Sequence, residues 1–257
     1  MLWIDDPIIP APPAHNGDFT AKLFGGNSGL FQDFATTPGQ QWNGGVWVGD
    51  HYDKVWAIDA ANLAPFGSYP VPSRAVSTVA LTPNCSQLCV PGRDNNRLTM
   101  LWTATGGQAW SIGMAMPQFV VIDHNGQYAY ISNVAYSHPT HSNHYISVVD
   151  LATHGVVATI PTGTQSYPDS LALTEDSGLL FVAEAWGNEV SVIDTVQRAV
   201  IKTFPVADPH GICIHRNVAY VNAYFEAKVV MIDVPSLTVL GEFSVAPGSS
   251  ATTGIVI

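Results

Sequence analysis

The sequence predicts an all-β protein whose strands form about five four-stranded sheets, arranged as the blades of a β-propeller. The main observation is a repeated strand that ends in Ile-Asp or Val-Asp. Neighbouring copies start roughly 39 to 48 residues apart, the period typical of a propeller blade. Only 11% of the residues are charged, while Gly (22) and Pro (18) are frequent, as in proteins of short strands and tight turns. The copies are KVWAID from Lys54, the degenerate RLTMLW from Arg97, YISVVD from Tyr145, EVSVID from Glu189 and KVVMID from Lys228.

The fourth copy shows the complete unit. Segments 167–173, 179–184, 189–194 and 199–206 are rich in alternating β-branched and aromatic residues, and Gly, Asn, Asp or Pro bounds each of them. This pattern predicts four consecutive strands, which we label A to D. The second unit runs from about residue 76 to 116, the third from 117 to 161 and the fifth from 209 to about 245.

The first unit contains strands B (VWVGD) and C (KVWAID) but no evident strand A. The last seven residues, ATTGIVI, match the opening of a blade, DPHGICI. We expect this C-terminal strand to complete the first blade, which would close the ring and remove an exposed sheet edge. A piece of a larger propeller is the alternative. Residues 1–44 do not fit the repeat and form an N-terminal extension, so the predicted propeller domain spans residues 45–257.

Several motifs resemble the YVTN-type β-propeller repeat. They include Tyr-Ile-Ser-Asn133, Phe-Val-Ala-Glu184 and Tyr-Val-Asn222-Ala, followed by motifs such as Val-Ser-Val-Ile-Asp. The resemblance covers about residues 46–257 and is strongest in units three to five. It implies a propeller fold. Proteins with this repeat include surface-layer components, YncE-like periplasmic proteins and lactonase-like enzymes, so the resemblance does not imply one function.

The charge balance excludes some partners. With 9 basic and 20 acidic residues the formal net charge is −11, so the basic stripe that nucleic acids require is missing. No apolar run is long enough to span a membrane, and no basic-then-apolar leader is present in this chain. The scarcity of Lys and Arg favours an extracytoplasmic protein, whether periplasmic, on the cell surface or secreted.

The three cysteines leave two alternatives open. Cys85 and Cys89 fall on a predicted A–B hairpin, where they either form a disulfide or remain two thiols. Cys213 lies in an apolar strand and is expected to be a small core residue.

Repeat register predicts a polar ring at the mouth of the central channel. The second residue of each A strand falls at Ser77, Gln118, Asp169, His210 and, from the C-terminal strand, Thr253. Asp169 and His210 come from adjacent blades and could form a hydrogen-bonded acid/base pair, which makes them the candidate catalytic residues. The alternative is that Pro-Asp and Asp-Pro-His are ordinary turn sequences.

The B–C loops add polar and aromatic residues at the same end of the predicted propeller. Such a face suits a polar, ring-shaped or carbohydrate-like ligand, or a partner protein. The candidate ligand-binding residues, taken with Gln118, are Asp50, His51, Asn133, Tyr136, Glu184, Trp186, Asn222 and Tyr224.

A divalent metal is a further possibility on this face. His138 and His141, joined by His51, could ligate zinc or copper, since three imidazoles leave an open coordination position; a solvated polar loop is the alternative. Calcium is the rival cation. The resemblance to lactonase-like propellers implies a carboxylate and amide set, here Asp50, Asn133, Glu184 and Asn222.

These observations predict an extracytoplasmic β-propeller that binds a small ligand or a partner protein on its loop-rich face. The alternative function is a lactonase-like hydrolase or lyase that uses His210 and Asp169, with or without a metal, at the channel mouth.

Overall fold

The structure is a computed structural model that describes residues 20–22, 33–37, 45–49, 54–59, 65–71, 76, 78–134, 144–163 and 166–245. All the regular secondary-structure elements among the described residues are β-strands, which confirms the predicted all-β class. The strands form five antiparallel sheets, which we call blades one to five.

Each blade is a meander in chain order. Blade one contains β1 (Thr20–Lys22), β2 (Asp33–Thr37), β3 (Gly45–Gly49), β4 (Lys54–Asp59) and β5 (Pro65–Pro70). Blade two contains β6 (Ala80–Leu81), β7 (Gln87–Gly92), β8 (Arg97–Trp102) and β9 (Gln108–Gly113). Blade three contains β10 (Pro117–Ile122), β11 (Tyr128–Asn133), β12 (Tyr145–Asp150) and β13 (Gly155–Pro161). Blade four contains β14 (Pro168–Leu173), β15 (Leu179–Glu184), β16 (Glu189–Asp194) and β17 (Ala199–Pro205). Blade five contains β18 (Pro209–His215), β19 (Val218–Ala223), β20 (Lys228–Asp233) and β21 (Thr238–Ser244).

The hydrophobic core lies between neighbouring blades. Because side chains alternate across a strand, each sheet contributes to the cores on both of its faces. In blade four, Phe181 and Val192 pack with Ile212 of blade five, whereas Leu180 packs with Ile146 of blade three. The innermost strands contact one another in the order β2, β6, β10, β14 and β18. This is the arrangement of propeller blades around an axis.

Blade one differs in one respect from the sequence prediction. β2 pairs with β3 at the strand A position, and β1 pairs with the other edge of β2. This position was expected to hold the C-terminal residues 251–257. Two strands from the predicted extension therefore extend the first sheet. Residues 251–257 lie outside the described residues, so closure of the ring by them stays a prediction.

Of the two alternatives for Cys85 and Cys89, the structure shows the second, since both side chains are thiols. Cys89 lies opposite Ala80 in the β6–β7 pair and packs in the core between blades two and three. Cys85 lies in the turn that precedes β7, where its thiol points toward the carbonyl of Pro83. The two side chains thus lie in different surroundings, although they are only four positions apart.

One end of the propeller, which we call the loop face, is where A and C strands begin and B and D strands end. The register of blade four shows this directly. Pro168 lies opposite Glu184, Glu184 opposite Glu189, and Glu189 opposite Pro205. The B–C turns and the connections between blades therefore meet at the loop face.

Candidate functional site

A β-bulge at the start of the innermost strand presents the candidate residues. In blade four Pro168 pairs with Glu184 and Ser170 with Ala183, so Asp169 is left out of the ladder. In blade five the pairing passes in the same way from Pro209 to Gly211 and leaves out His210. Blade three shows a shift between Pro117 and Val120, which includes Gln118. Bulges redirect side chains in this way near functional sites.

The bulges bring Asp169 and His210 together. Nδ1 of His210 donates a hydrogen bond to Oδ2 of Asp169 at 2.5 Å. Nε2 of His210 lies 3.4 Å from Oδ2 of Asp208, the residue just before β18. The imidazole is 25% exposed, and the two carboxylates are more buried than the ring. A partly accessible imidazole therefore lies between two carboxylates from neighbouring blades.

This geometry favours the charged form of the imidazole. Burial alone would lower the pKa of His210, but the hydrogen bond to Asp169 and the charges of Asp169 and Asp208 outweigh it, so the pKa is raised above its ordinary value. An imidazolium between carboxylates can donate to a ligand oxygen, while the carboxylates can accept from ligand hydroxyl or ammonium groups.

Aromatic side chains flank this polar set. The ring of Tyr224 lies 4.8 Å from that of His210, and Tyr224 contacts Phe225, which is 71% exposed. Trp186 occupies the place in blade four that Phe225 occupies in blade five, and it is also exposed. Both rings lie in B–C turns on the loop face.

Gln118 belongs to a separate contact. Its Oε1 accepts a hydrogen bond of 3.0 Å from the hydroxyl of Tyr167. The Tyr167 ring packs on Trp186 at 4.7 Å. Gln118 is thus linked through Tyr167 to blade four.

Two of the predicted ligand-binding residues serve the sheets themselves. Asn133 accepts a hydrogen bond of 2.7 Å from Ser147 and donates one to the carbonyl of Ala115. Asn222 accepts from the backbone N–H of Gly211, immediately after the bulge at His210. Asn222 therefore supports the conformation that presents His210.

Several predicted site residues lie outside the described residues, so their placement stays a prediction. The structure describes no group of three or more His, Cys, Asp and Glu side chains that could hold a metal within the part of the chain it covers. Within that part it also contains no helix long and apolar enough to cross a membrane. The undescribed site residues are Asp50, His51, Tyr136, His138 and His141, with Ser77 and Thr253 of the predicted ring.

Sequence reasoning missed two residues of this site. The sequence pattern places Asp208 only in a turn, although it stands two positions before His210 and on the far side of a proline. It predicts Tyr167 only as the start of a strand. A carboxylate next to a candidate histidine was the available signal for Asp208. The partner of Tyr167 is 49 residues away, and no local pattern indicates it.

No family model matches the chain, and no curated protein matches it either. Among solved structures, this one is similar to hydrazine synthase of Kuenenia stuttgartiensis, with a TM-score of 0.68 and 14% sequence identity. The match covers 80% of this chain and 64% of that chain. At this identity the likeness shows the fold alone, and it agrees with a five-bladed β-propeller. The fold is widespread, since 1550 solved chains match, and it does not indicate an activity.

Proposed function

We propose that this β-propeller binds a small, hydroxyl-rich ligand of carbohydrate-like shape on its loop face. The observation that carries the proposal is the Asp169–His210–Asp208 arrangement, in which a partly exposed imidazole lies between two carboxylates. Such a set offers both donors and acceptors to hydroxyl groups. Tyr224 and Phe225 supply apolar ring faces beside it, and Trp186 is exposed in the B–C turn of the neighbouring blade, which suits a ligand with alternating polar and apolar faces.

The test is a binding screen with a panel of mono- and oligosaccharides and polyols, read by saturation-transfer NMR. We expect that a ligand identified in this way binds at least about tenfold more weakly to His210→Gln and to Trp186→Ala, because each change removes a contact worth about 1.4 kcal/mol or more. The matched control is His215→Gln, an exposed histidine at the far end of the same strand. Unchanged affinity in both site variants would contradict the proposal.

A lactonase-like hydrolase or lyase is the second candidate function. It is favoured by the hydrogen bond between Asp169 and His210, since an imidazole oriented by a carboxylate can transfer protons. If the protein turns over a lactone or ester, His210→Ala should lower the rate by about 100-fold or more, and His215→Ala should not. Turnover that survives His210→Ala would rule out this role.

The finer predictions from sequence remain proposals. The motifs around Asn133, Glu184 and Asn222 support kinship with YVTN-type propellers, and the low content of Lys and Arg supports an extracytoplasmic location. A zinc or copper site at His51, His138 and His141 is proposed on sequence alone. Elemental analysis of the purified protein tests it, because a bound transition metal would be present in stoichiometric amount.

A further inference from the structure

A pair of carboxylates lies at a second place on the loop face, beside the connection between blades three and four. Glu184 ends β15 and Glu189 begins β16, and the register places them directly opposite each other. A methyl group on Gly163 would lie 2.8 Å from Oε1 of Glu189 and 3.8 Å from Oε2 of Glu184. Both carboxylates therefore border the space beside the α-carbon of Gly163, which is open because this residue has no side chain.

Glu184 is an unusual member of this pair. Its side chain is fully buried, and neither carboxylate oxygen makes a hydrogen bond of good geometry, although the hydroxyls of Ser166 and Ser191 lie close enough to lower its pKa in part. An ionised carboxylate in such a place costs several kcal/mol unless a counter-charge accompanies it. The ion pairs between described residues involve neither Glu184 nor Glu189. Within the described chain, nothing neutralises the two acids.

The blade itself does not require two acids here. In blade three the equivalent residues are Asn133 and Tyr145, and the Asn133 amide hydrogen-bonds to Ser147 and Ala115. The equivalent pairs are Ala223 with Lys228 in blade five and Gly92 with Arg97 in blade two. Among these four blades, two facing carboxylates occur in blade four alone. Their presence therefore indicates a role other than folding.

We propose that Glu184 and Glu189 bind a calcium ion in the space beside Gly163. Calcium takes six to eight oxygen ligands at roughly 2.3–2.6 Å and accepts carboxylates, hydroxyls and water. The two carboxylates supply the charge. The buried hydroxyls of Ser166 and Ser191 lie beside Glu184 and supply neutral oxygens. The ion neutralises the charge of the buried carboxylate. It also stabilises the position of the connection between blades three and four, which contains Gly163, against blade four.

This site is separate from the His210 site, and neither proposal depends on the other. It also differs from the sequence-predicted calcium set, because Asn133 and Asn222 are engaged in the sheets. The ligands here come from the two sides of a single B–C turn and from the preceding connection.

The experiment is a titration of chelator-treated protein with Ca²⁺ by calorimetry and with Tb³⁺ by sensitised luminescence. Trp186 lies two residues from Glu184 and can transfer excitation energy to bound Tb³⁺. We expect one equivalent of either ion to bind. Glu184→Gln and Glu189→Gln should each weaken binding about tenfold or more, because affinity depends on the number of charged ligands. Gly163→Ala should abolish binding by filling the space.

Glu242→Gln is the matched control, since this carboxylate lies on blade five and pairs with Lys228 at 2.8 Å. It should bind Ca²⁺ as the unaltered protein does. Circular dichroism of each variant separates loss of binding from loss of folding. The proposal is overturned if the unaltered protein takes up neither ion at millimolar concentration, or if Glu184→Gln binds as tightly as the unaltered protein.

Discussion

Two buried or partly buried ionisable residues on the loop face are held in opposite electrostatic situations. His210 lies between Asp169 and Asp208, and the attraction of these carboxylates exceeds the cost of its burial. Glu184 is fully buried, makes no hydrogen bond of good geometry and faces a second carboxylate. Burial raises the pKa of Glu184 to about 7, and the nearby negative charge of Glu189 acts in the same direction. The folded protein therefore stabilises the charged form of His210 and destabilises the charged form of Glu184.

Glu184→Gln should therefore change the pH dependence of stability. The pKa of Glu184 is raised to about 7 in the folded protein, so the folded state binds the proton more tightly than the unfolded state does. This preference stabilises the folded state fully below the ordinary pKa of a glutamate, and the stabilisation is lost as the pH rises through 7. In the presence of a chelator, we expect the variant to be more stable than the unaltered protein at about pH 8.5, by about 1–3 kcal/mol, the cost of an unsatisfied buried polar group. Near pH 4 the two proteins should be similar.

Urea unfolding at the two pH values measures this difference. Glu226→Gln, which changes a partly exposed carboxylate paired with Lys228, serves as the control. Equal destabilisation by Glu184→Gln at both pH values would show that the carboxylate is solvated or otherwise satisfied in the folded protein.

At the scale of the strand, the innermost strands owe their positions to hydrogen bonds between blades. Oγ1 of Thr78 accepts from the backbone N–H of Val120 at 2.9 Å, which joins blade two to blade three. Oγ of Ser170 accepts in the same way from Ile212 at 3.2 Å, which joins blade four to blade five. Ser170 directly follows the bulged Asp169. These hydroxyls therefore hold the strands that present the site.

Replacing such a hydroxyl should destabilise the fold. Thr78→Val keeps the shape of the side chain but leaves the buried N–H of Val120 without its acceptor, which should cost about 1–3 kcal/mol. Thr78→Ser retains the hydroxyl and is the matched control, expected to lose less despite the missing methyl group. Denaturant unfolding compares the two variants, and an equal loss in both would show that the bond between the blades contributes nothing.

Strand-scale reasoning from sequence predicted the second position of each innermost strand but not the bulge. The Pro-Asp169 and Pro-His210 dipeptides mark where strands begin. Whether the next residue stays in the ladder depends on pairing with the neighbouring strand, which sequence periodicity does not report. For the same reason, the roles of Asn133 and Asn222 as hydrogen-bond partners within their blades could not be predicted.

At the scale of the whole molecule, blades two to five follow from the repeat. Each of these blades is formed by consecutive strands, and each strand carries its own alternating pattern. Blade one was harder because its strand A, DFATT, lacks the Pro-initiated motif of the other blades. Its place next to β3 depends on contacts with β6 and on pairing across an irregular stretch of sequence.

The propeller explains how residues about 40 positions apart can form one site, because the chain is at the same end of the molecule again after each four-stranded blade. Asp169 and His210 are 41 residues apart. Adjacent blades hold these two side chains in contact on the loop face.

An NMR titration of the histidine side chains, in the unaltered protein and in Asp169→Asn, tests this contact. We expect the pKa of His210 to lie above that of an ordinary histidine and to fall when the Asp169 carboxylate is replaced, because less negative charge then opposes the effect of burial. The side-chain NMR signals of His215, at the far end of the same strand, serve as the control and should be the same in both proteins. A pKa of His210 that is not raised, and that Asp169→Asn leaves unchanged, would contradict the account.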